Sequence, residues 1–212
     1  MDFQRKRQEL VDKIILEGHL KTDYVIQAFR KTQRENFVLP EHKGYAYTDE
    51  PLPIFKGQTI SQPSTVAIMT EALKAKKGNN ILEIGSGSGY QAAILSEIVG
   101  SKGRVVTIER HHELSEFAKK NLEGRKNVIL IEGDGTLGCQ EYAPYDRIIV
   151  TAEAPDVPKS LLDQLSDKGL LVIPIGNEMF LIEKKGNKIR KKSLGYFAFV
   201  PLVGKHGYKE IF

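Results

Sequence analysis

The chain has 212 residues, of which 41% are hydrophobic and 27% are charged, as in ordinary globular proteins. No apolar run approaches the 18 residues that would indicate a membrane-spanning helix, and the charged N-terminus lacks the apolar core of a signal peptide. Cys139 is the single cysteine, so an internal disulfide is excluded and a reducing compartment is favoured. We therefore expect a cytoplasmic protein with no membrane partner.

The net charge of +4 permits contact with nucleic acid but does not by itself indicate it. The densest basic run, residues 183–195, is interpreted as a hairpin with a solvated face that turns at Gly186 and Asn187. We therefore expect no nucleic-acid partner.

The first third of the chain is predicted to form two helices followed by an ordered loop. Residues 4–17 carry apolar side chains at helical spacing, and Thr22 is placed to cap a second helix. Residues 36–57 hold three prolines and several aromatic side chains. Because this composition is too apolar for a linker, we expect the segment to pack on the body of the protein as a pocket wall.

After a third helix that begins near Pro63, strands alternate with helices. The strands are predicted at residues 81–84, 105–109, 128–132, 147–151 and 169–174, and the helices at about 90–99, 112–123 and 158–165. This alternation predicts an α/β fold, a Rossmann-like doubly wound and mostly parallel sheet with helices on both faces. Residues 180–184 and 189–200 are predicted to add an antiparallel C-terminal hairpin.

We therefore expect one domain over residues 1–212. Its predicted parts are a helical N-terminal extension and loop (1–60), a cofactor-binding core (61–176), and a C-terminal hairpin with a substrate-side segment (177–212).

A glycine-rich turn, GSGSG at residues 85–89, joins the first predicted strand directly to a helix. Glycines let the backbone turn tightly and approach a ligand, and such ligands bind beyond the carboxyl ends of the strands. In the dinucleotide fingerprint G-x-G-x-x-G the third glycine comes one residue later, where this chain has Tyr90. The spacing of the glycines is therefore not that of a nicotinamide oxidoreductase.

Acidic residues surround this turn. Glu83 precedes it, Glu109 ends the second strand and Asp134 follows the third. Glu109 could accept both hydrogen bonds of a ribose diol, and Asp134 could accept one from an adenine amino group. Because no lysine or arginine lies beside the turn to hold phosphates, the pattern favours S-adenosylmethionine. The alternative is a glycine turn with acids that merely cap helices.

With these residues placed, the chain resembles the protein-L-isoaspartate O-methyltransferase family from about residue 37 to 201. The resemblance rests on GQTISQP (57–63), ILEIGSGSGYQAAILSEIVG (81–100), VVTIER (105–110), GDGTLG (133–138), APYDRIIVTAEAP (143–155) and LVIPIG (171–176). It implies a class I methyltransferase fold. It also implies methyl transfer from S-adenosylmethionine to the α-carboxylate of L-isoaspartyl residues in damaged proteins, which is a repair reaction.

The resemblance also implies the site residues. Ser61 is the active-site residue, and the segment 199–204 is similar to the family's substrate clamp, with Val203 contacting the substrate through its backbone. We expect the cofactor to contact Ser61, Glu83, Gly85, Gly87, Ser88, Gly89, Glu109, Arg110, Asp134 and Gly135, and the substrate to contact Thr59, Ile60, Ser61 and Val203. No metal is expected. We expect the protein to be a monomer whose partners are isoaspartyl proteins and peptides.

Ser61 is assigned a positioning role. The substrate carboxylate has a pKa of roughly 3.5 and is already an anion, so no general base is needed. We expect the Ser61 hydroxyl to donate a hydrogen bond to this anion and orient it. Alternatively, Ser61 caps the helix after Pro63, and the two roles are compatible.

The same sequence pattern is also compatible with other functions. They are a methyltransferase of the same fold that acts on RNA or a small molecule, and a non-catalytic S-adenosylmethionine sensor.

Overall fold

The structure, a computed structural model, describes residues 2–209. Its α-helices are α1 (Phe3–Leu16), α2 (Asp23–Lys31), α3 (Pro63–Leu73), α4 (Tyr90–Val99), α5 (His112–Asn121) and α6 (Lys159–Gln164). Within residues 2–209, no helix is long and apolar enough to cross a membrane.

A seven-stranded sheet forms the centre of the molecule. Its strands are β3 (Asn80–Ile84), β4 (Arg104–Glu109), β5 (Val128–Glu132), β6 (Tyr145–Val150), β7 (Leu165–Ile175), β8 (Glu178–Lys185) and β9 (Lys188–Tyr196). They lie in the order β5-β4-β3-β6-β7-β8-β9. The first five pair in parallel, whereas β8 and β9 pair antiparallel. The predicted doubly wound sheet with a C-terminal hairpin is confirmed.

Alternation along the strands sends side chains to two apolar cores. On β4, Val105 belongs to the core that contains α1 to α5, and Val106 belongs to the core on the α6 side. By the same alternation, Thr107 lies on the Val105 face, where it pairs in register with Glu83 of β3. The sheet thus places polar side chains beneath the glycine turn.

The predicted packing of residues 36–57 on the body of the protein is confirmed, although the cleft at the carboxyl edge of the sheet is lined only from residue 58 onward. Residues 36–57 form short 3-10 turns and the strand β1 (Leu52–Pro53), which pairs antiparallel with β2 (Thr59–Ile60). Phe37, Ala46 and Ile54 of this segment are buried. Burial of these side chains fixes the segment against the helices, and β2 leads directly into Ser61.

Two predicted strands differ from the observed ones by four residues at one end. β7 begins at Leu165 instead of residue 169, and its pairing with β6 shifts in register between Tyr145 and Arg147. β9 ends at Tyr196 instead of residue 200. β9 ends there because its partner β8 begins at Glu178, which pairs with Tyr196. The residues that follow turn toward the carboxyl edge of the sheet, where Val200 and Leu202 bond to the backbone of Glu153.

Candidate active site

A cleft opens at the carboxyl edge of β3, β4 and β6, where the sheet order reverses direction. It encloses about 950 Å³, counting the part open to solvent. Its walls come from residues 58–61, the glycine turn, residues 108–111 and residues 200–203. A crevice at this edge is where open α/β sheets bind their ligands.

The glycine turn is shaped by close packing as well as by its backbone angles. Gly85 and Gly89 have φ of 92° and 86°, in the left-handed region that favours glycine. A Cβ at Gly85 would lie 2.5 Å from Thr151 Oγ1, and one at Gly89 would lie 3.0 Å from Leu122 Cγ. Gly85 lines the cleft. Gly89 does not; it lets α4 pack on the end of α5, and its predicted cofactor contact stays a prediction.

Glu109 supports the turn from the end of β4. It is 5% exposed; Oε2 accepts from the Gly87 N–H at 3.0 Å, and Oε1 accepts from the His111 N–H at 3.0 Å. Each carboxylate oxygen has a further lone pair, and the side chain lines the cleft. Glu109 can therefore hold the turn and accept from a diol at the same time.

Glu83 lies beneath the turn and does not line the cleft. It is fully buried; Thr107 Oγ1 donates to its Oε2 at 2.5 Å, and Ser86 Oγ lies 2.7 Å from the same threonine hydroxyl. Its Oε1 has no hydrogen-bond partner among the described residues. Burial raises the pKa of Glu83 to about 8. Glu83 therefore supports Ser86 through Thr107, and its predicted direct contact with the cofactor stays a prediction.

Asp134 is also outside the cleft, although the neighbouring Gly135 lines it. Its Oδ1 accepts from the Thr136 N–H at 2.9 Å and from the Thr136 hydroxyl at 2.6 Å, and its Oδ2 accepts from the Lys205 N–H at 2.7 Å. Partial burial would raise the pKa of Asp134, but these hydrogen bonds outweigh it and lower the pKa. The structure thus bonds this carboxylate to the C-terminal loop, and its predicted contact with the cofactor stays a prediction.

Ser61 lines the cleft directly after β2. Its carbonyl oxygen accepts from Arg34 Nη2 at 2.9 Å. Within residues 2–209, no group is hydrogen-bonded to the Ser61 hydroxyl. Thr59, Ile60 and Val203, the other predicted substrate contacts, line the same cleft.

The cap of α3 comes from Asp49. Gln62 occupies the N-cap position and its side chain makes no capping bond. Instead, Asp49 Oδ1 accepts from the Ser64 N–H at 2.9 Å, and Oδ2 accepts from Gln62 Nε2 at 3.3 Å. The alternative that Ser61 caps this helix is therefore wrong. No local pattern identifies Asp49 as the cap, because it lies 15 residues before Ser64.

Arg34 ties the Ser61 backbone to α4. It is 0% exposed, and its guanidinium carbon lies 4.9 Å from the centre of the Tyr90 ring, which packs edge-on against Phe37. Its Nε and Nη1 have no partner among the described residues. Burial lowers the pKa of Arg34, and its contacts stabilise the position of Ser61 beside Tyr90 in the cleft.

The wall at residues 200–203 is bonded to Glu153, to which the sequence assigns no role. The Glu153 N–H donates to the Val200 carbonyl at 2.8 Å, and the Leu202 N–H donates to the Glu153 carbonyl at 2.7 Å. The Tyr208 hydroxyl donates to Glu153 Oε1 at 2.8 Å. Glu153 therefore fixes both ends of this wall.

The other predicted cofactor contacts, Ser61, Gly87, Ser88 and Arg110, all line the cleft. Residues 2–209 contain no group of three His, Cys, Asp or Glu side chains that could hold a metal ion. The diol acceptor, the neutral glycine turn and the apolar Ile108 and Leu114 form a surface that fits an adenosine group.

Comparison with known proteins places this architecture in a family. The family model described as protein-L-isoaspartate(D-aspartate) O-methyltransferase matches residues 5–207. The protein-L-isoaspartate O-methyltransferase of Methanopyrus kandleri is 47% identical, with 98% of this chain and 96% of the relative covered. That of Pyrococcus horikoshii is 48% identical, with 99% and 98% covered.

Solved structures agree with this result. One protein-L-isoaspartate O-methyltransferase superimposes with a TM-score of 0.86 and 34% identity, over 95% of this chain and 67% of that chain. A second, from Plasmodium falciparum, in complex with S-adenosyl-L-homocysteine, gives a TM-score of 0.83 and 26% identity over 93% and 98%. Fold, cleft and sequence together show that the chain belongs to the protein-L-isoaspartate(D-aspartate) O-methyltransferase family.

Proposed function

We propose that this protein transfers a methyl group from S-adenosylmethionine to the α-carboxylate of L-isoaspartyl residues in damaged proteins and peptides. The observation that carries the proposal is that two functional groups line the same cleft. Glu109 presents acceptors for a ribose diol, and Ser61 presents a hydroxyl with no protein partner among the described residues. The family assignment supports the same reaction over the predicted RNA, small-molecule and sensor alternatives.

On the cofactor side, Glu109 would accept hydrogen bonds from the ribose while it keeps Gly87 in place. Gly85, Ser88 and Gly135 would lie against the rest of the cofactor. When bound, S-adenosylmethionine supplies a methyl group on a positively charged sulfur and leaves as S-adenosylhomocysteine. The protein binds and orients this group, and no metal is proposed.

On the substrate side, the isoaspartyl carboxylate is the nucleophile. It is ionised at neutral pH, so the site needs a donor that orients the anion without protonating it. Ser61 is proposed to donate that hydrogen bond, while Thr59, Ile60 and Val203 contact the peptide, partly through their backbone. Alignment of reacting groups in this way can lower a barrier by about 7–11 kcal/mol in favourable cases.

The direct test is transfer of a labelled methyl group to an isoaspartyl peptide. The control is the peptide of the same sequence with a normal aspartyl residue. We expect labelling of the isoaspartyl peptide alone, in a base-labile ester. Absence of transfer to the isoaspartyl peptide would refute the proposed function.

We also propose that the protein acts as a monomer in the cytoplasm. The single cysteine, which excludes an internal disulfide, is compatible with a reducing compartment. Light scattering of the purified protein measures its mass in solution, and cell fractionation tests the compartment.

A further inference from the structure

We infer that the outer edge of β9 is a docking surface for an acidic, extended segment of the isoaspartyl polypeptide, roughly 8 to 12 residues away from the damaged residue. This surface, the β9 edge, consists of residues 188–193, all of which are exposed. The inference rests on the proposed function, because it extends the binding site of that substrate beyond the cleft.

The β9 edge has an unpaired backbone on one side. β9 is the last strand in the sheet order, and it pairs with β8 in unbroken register from Ser193 back to Lys188. Among the described residues, no strand pairs with its other side. Such a strand presents N–H and C=O groups to which an extended peptide can add. These main-chain hydrogen bonds do not depend on the side chains of the peptide.

The side chains of the β9 edge are strongly basic. Residues 183–192 contain six lysines and arginines against one glutamate. Lys188, Arg190 and Lys192 alternate along the strand and therefore share one face. None of the three forms an ion pair among the described residues, although Glu183 lies opposite Arg190 in register. A row of cations without acidic partners attracts an acidic segment and repels the same edge of a second copy.

The β9 edge leads directly to the cleft. β9 runs parallel to β7, since both pair antiparallel with β8, and it therefore ends at the carboxyl edge of the sheet. After Tyr196 the chain continues to residues 200–203, which line the cleft. Lys192 and Lys188 precede residue 200 by eight and twelve positions. An extended polypeptide with its isoaspartyl residue in the cleft can therefore reach both lysines.

The free backbone of the β9 edge favours a polypeptide over a nucleic acid, because a peptide can pair with it as an added strand. Continuity with residues 200–203, which are proposed to contact the peptide, favours the same partner. Single ion pairs at a surface contribute little, so we expect several acidic residues to act together. Salt screens exposed charges, so their effect should depend on ionic strength.

The test uses isoaspartyl peptides that differ only in a distant tail. One carries four glutamates about ten residues from the isoaspartyl residue, and the other carries four glutamines there. A six-residue isoaspartyl peptide is too short to reach the β9 edge. Because a strand can add in either direction, the tail precedes the isoaspartyl residue in one set of peptides and follows it in a second set.

Two variants that each lose three exposed positive charges are compared. The first changes the β9 edge (Lys188→Gln, Arg190→Gln and Lys192→Gln), and the matched control changes positions before β3 and β4 (Lys76→Gln, Lys77→Gln and Lys102→Gln). We expect the first variant to raise the KM of the glutamate-tailed peptide roughly ten-fold in at least one set. The glutamine-tailed and six-residue peptides should stay within about two-fold, and the difference should disappear in about 0.5 M salt. The control should behave as wild type.

An equal change in KM for the two tails would overturn the inference, and so would no change for either. Binding of a single-stranded oligonucleotide to wild type but not to the variant, with unchanged peptide KM, would also overturn it. Charge reversal by Lys188→Glu and Lys192→Glu should give a lysine-tailed peptide a lower KM than the glutamate-tailed one. Retention of the wild-type preference would contradict recognition by charge.

Fluorescence anisotropy separates this inference from the proposed function. A dye-labelled peptide with the glutamate tail and a normal aspartyl residue should bind wild type more tightly than the variant of the β9 edge at low salt, whether or not methyl transfer occurs. Equal binding to the two proteins would refute the docking surface alone. Absence of transfer by wild type to the six-residue isoaspartyl peptide would refute the proposed function alone.

Discussion

The two walls of the cleft are built differently. The cofactor wall comes from neighbouring parallel strands, since Ile84 and Ile108 pair in register and the glycine turn and Glu109 follow them. The proposed substrate wall comes from residues 58–61 and 200–203, which lie far apart in the chain. The first segment is held by the Arg34 side chain, and the second is held by the backbone of Glu153.

One site can therefore combine a part set by sheet register with a part set by hydrogen bonds between segments that lie far apart in the chain. Changes in the cofactor wall should act on the affinity for S-adenosylmethionine. Changes in the substrate wall or its supports should act on turnover or on peptide affinity. Variants in each wall test this distinction.

The largest effect is expected for Glu109→Gln. The amide nitrogen would face the Gly87 or the His111 N–H, and one acceptor for the ribose would be lost, which leaves buried donors unpaired. We expect the Kd of S-adenosylmethionine to rise roughly 100-fold by calorimetry. Glu113→Gln, at an exposed residue paired with Lys56, is the control. A Kd within a few-fold of wild type would contradict the role of Glu109.

Ser61→Ala should lower kcat roughly 10- to 100-fold, because a hydrogen bond to a charged group contributes about 1.5–3 kcal/mol. The melting temperature should stay near its wild-type value, since no described residue bonds to this hydroxyl. Steady-state methylation of an isoaspartyl peptide measures the effect. Ser101→Ala, at an exposed position, serves as the control. Unchanged turnover would remove Ser61 from the mechanism.

Arg34→Met should lower kcat roughly ten-fold, because the Ser61 carbonyl loses its donor and the loop can shift. Stability should change little, since the variant also removes a buried cation that has two nitrogens without partners among the described residues. Arg30→Met, at an exposed arginine paired with Asp12, is the control. A large loss of thermal stability with normal kcat in the folded fraction would show that Arg34 is structural only.

The smallest effect on catalysis is expected for Glu83→Gln, whose signature is a pH dependence of stability. Between pH 4.5 and about 8, folded Glu83 holds a proton that the unfolded chain releases. Protonated Glu83 therefore makes its full contribution to the free energy of unfolding below pH 4.5. This contribution is lost as pH rises to about 8, with a slope of up to about 1.4 kcal/mol per pH unit.

Urea unfolding of wild type and Glu83→Gln from pH 5 to 9 measures this contribution as the difference between the two proteins. The variant should lack the slope and gain relative stability as pH rises. Parallel curves would show that Glu83 is ionised in the folded protein throughout this range.

Much of the fold could be predicted from the sequence because its signals are local. Alternating strands and helices predict the parallel sheet, and the spacing of GSGSG, Glu109 and Ser61 predicts a cleft at its carboxyl edge. Errors in the strand bounds fall at Leu165 and Tyr196. At both, bonds to distant partners decide where the strand begins or ends.

Strand periodicity and parallel register follow from residues close together in the chain, so the fold class, the glycine turn and the acceptor at Glu109 could be predicted. Three other carboxylates depend on contacts between remote segments: Asp134 bonds to Lys205, Asp49 caps α3, and Glu83 lies buried below the cleft. A carboxylate has the same chemistry in all three places. Its role depends on which donors the folded chain brings within hydrogen-bond distance, and those donors come from remote segments.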